Sequence, residues 1–151
     1  MKGGYIGSII GIFIMIIISV VTPMYYIGII EWARDETEAI YDARQFIDTV
    51  IDTRVVTDDM LADLNLAMAA KSTSFSAKII RERQLVNPDP AKPGETYTSY
   101  VVTDDIYNWK AGDRITIELT TVGGNAFLNV AKSFLGFMIP QDEIILSGRV
   151  R

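Results

Sequence analysis

The sequence predicts an α+β fold, in which a long N-terminal hydrophobic helix continues into an amphipathic helix packed on a small antiparallel β-sheet. Three observations predict it. Residues 5–30 form an apolar run without a charge. Residues 31–56 contain no Gly or Pro and carry apolar side chains at helical spacing. Beyond Lys71 the apolar period falls to two, in short runs separated by Pro- and Gly-rich turns. Two units follow: 1–30 as a transmembrane helix, and 31–151 as an α+β domain.

The 26 residues of the apolar run exceed the roughly 20 that a helix needs to cross a hydrocarbon core of about 30 Å. A cleaved export signal has an apolar region of about 7–15 residues and then a small-residue site. Here the run is longer, and Glu31-Trp32-Ala33-Arg34 offers no such site, so a retained span is expected. Lys2 is the only charged side chain before Glu31, and the far flank, residues 31–36, is acidic on balance. The positive-inside rule then places the N-terminus in the cytoplasm and residues 31–151 outside. Tyr25, Tyr26 and Trp32 suit the outer aromatic belt.

Gly3, Gly7 and Gly11 recur every four residues, with Gly4 and Ser8 beside them. On a helix this spacing makes a narrow face without bulk, against which another helix packs closely; glycine is also simply frequent in membrane helices. Pro23 removes an i→i−4 hydrogen bond and is expected to kink the helix, with Thr22 placed to satisfy a freed backbone group.

Ile40, Ala43, Ile47 and Val50 form the stripe of the amphipathic half, widened by Phe46 and Ile51. Glu36, Asp42, Arg44, Asp48 and Asp52 take the other side. One helix over residues 5 to about 54 is therefore expected. Thr57-Asp58-Asp59 reads as a new N-cap with acids in the first turn of a short helix ending near Ala70. Phe75, Ala77 and Ile79 alternate as a strand, with Arg81-Glu82-Arg83 continuing it as a solvated stretch. Residues 87–94 hold three prolines and read as an exposed loop. Residues 96–103 are β-rich, 104–113 a connector, and 114–121 an alternating strand. Gly123-Gly124-Asn125 breaks it. Residues 126–139 are ambiguous: Phe127, Val130, Ala131, Phe134 and Met138 fit a helix, and Phe134, Gly136 and Met138 fit a strand; Pro140 ends them. Residues 143–151 read as a last strand.

The chain has neither His nor Cys, which excludes His-based general-base chemistry, thiolate nucleophiles, disulfides and Cys/His zinc sites. The other 13 basic and all 19 acidic residues lie in 31–151, a balance of −6 that argues against a nucleic-acid partner. Carboxylate pairs occur at Asp58-Asp59, Asp104-Asp105 and Asp142-Glu143, each in an expected cap or loop. There is no phosphate-binding Gly loop and no calcium-loop spacing. No catalytic residue, cofactor or metal is expected, and the chain is not expected to be an enzyme.

The Lys2-Gly3-Gly4 leader, the apolar helix with Pro23, the amphipathic continuation, the strand opening at residues 110–117 and the closing residues 143–150 together resemble a type IV pilin-like protein. The nearest match is to the TadE-type pseudopilins of tight-adherence systems. The resemblance implies peptidase processing at Gly3 or Gly4. It also implies a pilin-like domain held in the membrane before assembly, partners among other copies, other pilins and the pilus assembly machinery, and a homo-oligomeric helical filament at the cell surface. Pilins usually carry Glu at the fifth mature position; here cleavage after Gly4 or Gly3 would place Ile9 or Ser8 there. Two other readings stay open. One is a non-polymerising single-span subunit of a secretion or conjugation apparatus. The other is a membrane-anchored binding module presenting Tyr97, Tyr100, Tyr107 and Trp109.

Overall fold

A computed structural model describes residues 3–136 and 143–151. The elements run α1 (Gly3–Thr53), α2 (Asp58–Ala69), β1 (Ser74–Pro88), β2 (Thr96–Thr103), β3 (Arg114–Gly123), α3 (Ala126–Leu135) and β4 (Glu143–Arg149). The four strands form one antiparallel sheet in the order β2-β1-β3-β4. The fold is the α+β arrangement expected: α1 is a single helix of 51 residues, and its amphipathic half lies on the sheet.

The buried stripe of α1 is Ala39, Ala43, Phe46, Ile47 and Val50, with Ile40 and Ile51 at its edges. It meets Ile115, Ile117 and Leu119 of β3, all fully buried, and Phe75 of β1. Each inward residue is two positions from the next, as a pleated strand with one covered face requires. At Gly148 of β4 the helix approaches so closely that an added Cβ would lie 2.6 Å from Ile47 Cγ2, so only glycine fits there. Leu64 and Met68 of α2 close the side of this core.

Thr57 caps α2 as its sequence suggests, its hydroxyl accepting the Met60 N–H at 3.2 Å. α1 ends at Arg54, which takes the left-handed conformation (φ 59°) while its N–H still reaches Val50 O. The connector 104–113 is stitched to that end: Trp109 N–H donates to Arg54 O, and Val56 N–H to Tyr107 O. Residues 126–135 resolve the double reading in favour of a helix. Asn125 caps it by accepting the Leu128 N–H at 2.9 Å, and Gly136 closes it in the left-handed region. The rest of the ambiguous stretch, Pro140 as its stop, Lys2 and Asp142 lie outside the described residues.

Two expectations are corrected. Arg81 is not solvated: it is 3% exposed and points into the core. The alternation Phe75-Ala77-Ile79 runs on through it, so period two carries the side chain inward. Trp109, offered as a ligand-facing aromatic, is also buried, its indole N–H donating to Ile106 O at 2.7 Å.

Candidate functional site

Two features stand apart from ordinary packing: the N-terminal half of α1 and a buried charge cluster at one end of the sheet. The helix half is apolar enough over its length to cross a membrane. From Tyr5 to Val20 its large side chains are open, with Tyr5, Ile9 and Phe13 each about two-thirds exposed or more. Among the described residues no other element covers these three. A shallow groove of about 800 Å³ runs along this stretch, lined by Ser8, Gly11, Met15 and Ser19 among others.

The residues singled out for helix packing are distributed as follows. Gly3 and Gly4 are in the first turn of α1. Gly11 and Ser8 share the groove, while Gly7 lies beside it; a Cβ added at Gly7 or Gly11 would meet nothing within 4 Å. Pro23 sits inside α1, which remains helical on both sides of it.

At Val21, which is 4% exposed, one side of the helix becomes covered, while Tyr26, Ile27 and Ile30 stay exposed. From there α3 packs against α1. Gly28 is the point of closest approach: a Cβ there would fall 2.9 Å from Leu128 Cγ and 3.0 Å from the Leu128 backbone nitrogen. The Asn125 side chain locks the contact, donating from Nδ2 to Gly28 O at 2.7 Å while its Oδ1 caps α3. Asn125 is 1% exposed, so both halves of its amide are used away from water. Sequence reading did not single out Gly28; the signal available was Asn125 ahead of an apolar helical period, a cap with an amide to spare.

The charge cluster centres on Arg81. Its Nε and Nη2 donate to Asp113 Oδ2 at 2.9 and 2.6 Å, and its Nη1 donates to Asp105 O and Oδ2 at 2.9 and 3.2 Å. The guanidinium lies 5.3 Å from the centre of the Trp109 ring, within cation–π range. Burial pushes the Asp113 carboxyl up. The Lys110 N–H, the Arg81 side chain and the Gln84 N–H outweigh it and hold the group below the ordinary carboxylate range. Arg81 and Asp113 are engaged inward, Asp105 reaches them from the surface, and the arrangement suits a lock between β1 and the connector.

Among the described residues, members of the carboxylate pairs take separate partners. Asp58 accepts the Tyr107 hydroxyl at 3.1 Å, and that hydrogen bond holds the phenol above its ordinary value. Asp105 serves Arg81, and Glu143 opens β4. Among the described residues no three Asp or Glu side chains gather as a metal site would require. Tyr100 lies on β2 with Arg114 stacked 4.3 Å from its ring centre, and Tyr97 is on the same strand, so the expected aromatic loop surface is spread over strand and core. Comparison of the chain with protein-family models, with curated proteins and with solved structures finds no match.

Proposed function

We propose that the chain is a structural subunit of pilin or pseudopilin type, which sits in the membrane through residues 5–30 and assembles into a filament by packing that helix against sister copies. The domain built on residues 31–151 then lies outside the membrane, and at the cell surface after assembly. One observation carries the reading. α1 is continuous for 51 residues, about 76 Å, and it is apolar and largely uncovered up to Val20 while its second half is the spine of a folded domain. Such a helix exceeds what one bilayer crossing uses, and it gives a filament both its core and its attachment to the head. The Ser8/Gly11 groove supplies close approach between helices, where lipid-exposed surfaces gain from packing and not from the hydrophobic effect. No substrate chemistry is part of this role.

The test is the double change Gly7→Leu and Gly11→Leu. Both positions face open space within one chain, so the domain is expected to fold as before. Sheared surface material from cells carrying the variant is expected to lack filaments that the unchanged protein forms. Filaments of normal yield from the variant overturn the reading.

A second reading, a single-span subunit that never polymerises, is favoured by one observation. The first turn of α1 has no acidic side chain, so a neighbour's N-terminal amine finds no counter-charge there. Under that reading the protein stays with the membrane fraction after shear.

A further inference from the structure

α3 has an apolar arc wider than the strip it presses on α1. At about 100° per residue, Phe127, Val130 and Phe134 fall within about 60° of one another, flanked by the buried Ala131 and then Leu128 on one side and by Ser133 and then Asn129 on the other. Phe127 and Val130 are half-buried, and Phe134 is 64% exposed. Phe127 borders the α1 contact, its Cβ 3.1 Å from a Cβ placed at Gly28, and beyond it the flank has no covering element among the described residues.

The level of α3 along α1 says what lies against it. The lower end of the sheet is at Asp35, whose carboxylate accepts the Thr73 N–H at 2.7 Å just before β1 pairs with Gly123. The chain then reaches Gly28 at Asn125. It has therefore moved down α1, toward the apolar end, and α3 continues that way: the next covered face of α1 is Met24, Val21 and Ile17, on the same side as Gly28. On the membrane reading Tyr25 and Tyr26 lie at the belt level, and α3 starts near that height, at Gly28. The bare stretch 5–20 is only about 24 Å long, short of a hydrocarbon core of about 30 Å. The apolar slab must then extend past Val20, to the height of the lower half of α3.

Resting on the membrane reading above, we propose that α3 is seated in the leaflet nearer the domain, with the Phe127/Val130/Phe134 flank against acyl chains and the Asn129/Ser133 side toward headgroups. The occupant of the flank is lipid. The span is then a two-helix foot on that side, α1 crossing and α3 wedged half-way in, fastened by the Asn125–Gly28 hydrogen bond.

The absence of cysteine makes the test direct. Single Phe134→Cys, Ile12→Cys and Tyr41→Cys variants of the full chain each carry a nitroxide label in phosphatidylcholine/phosphatidylglycerol vesicles. All three positions are exposed, so the fold tolerates the labels. Collision with oxygen relative to a water-soluble nickel complex reports depth. The ratio at 134 is expected to be severalfold above that at 41 and to approach that at 12. A ratio at 134 equal to that at 41, with 12 still in lipid, overturns the seating of α3 alone. A label at 12 that itself meets the nickel complex overturns the membrane reading, and this proposal with it. Spin–spin broadening at 134 with shielding from both reagents assigns the flank to a second copy and overturns the lipid occupant.

Discussion

Replacing Asp113 by Ala is expected to destabilise the domain by about 4 kcal/mol. The side chain of Arg81 is 4% exposed, and Asp113 is its buried counter-charge; Asp105, on its other side, is largely in water. Removing one partner of a buried ion pair costs about 3–5 kcal/mol, because the surviving charge stays desolvated. The Lys110 and Gln84 N–H groups lose their acceptor as well, at about 1 kcal/mol each, while Asp105 and the Trp109 ring retain part of the stabilisation of the guanidinium. Urea titration of the full chain in detergent micelles, followed by near-UV circular dichroism from Trp109, measures the difference. The reasoning also fixes the double change: Arg81→Met with Asp113→Ala is expected to be less damaging than Asp113→Ala alone, since no unpaired charge is left. A loss below about 1 kcal/mol for Asp113→Ala, or a double variant weaker than the single one, refutes a desolvated Arg81. The pH dependence has a definite sign. The folded carboxyl titrates below its ordinary value of 3.8, so its contribution is complete above that value and is lost as the pH falls through the lower, folded one. Asp113→Ala is expected to flatten that acid limb.

Two further substitutions probe the helices. Thr57→Ala removes the acceptor of the Met60 N–H and is expected to cost about 1 kcal/mol in the same urea titration, with Thr57→Ser restoring it. Gly28→Leu drives a side chain into Leu128 and is expected to release α3 at a cost of about 1–3 kcal/mol; trypsin cleavage after Lys132 in detergent should rise, and an unchanged digestion pattern would mean that α3 is not docked at Gly28.

The helical half of the fold was legible because its signals are local. An uncharged run, then a stripe of Ala43, Phe46, Ile47 and Val50 without a breaker, forces one helix, and Thr57-Asp58-Asp59 restarts another. The strands were legible from alternation, as at Ile115, Ile117 and Leu119. What escaped depends on partners distant in sequence. Arg81 looked solvated beside Glu82 and Arg83, because its acceptor Asp113 is 32 residues away in a segment read only as a connector. Trp109 looked like a loop aromatic for the same reason. The docking of α3 was hidden twice: its own pattern fitted two periods, and its receptor is a glycine within an apolar run where glycine is common. In the candidate site, the Gly11 and Ser8 positions were visible from spacing, whereas the end of the bare face at Val21 required knowing where α3 goes.

The unbroken course of α1 from Gly3 to Thr53 makes it a lever. A helix about 76 Å long that leans by about 10° at its foot carries its far tip sideways by about 13 Å. The head, clamped to the upper arm of that lever through the contacts of Ile47 and Val50, swings with it as one piece. Orientation of the head is thus governed from the base, where a small change in how the shaft is held becomes a displacement comparable to the width of a helix.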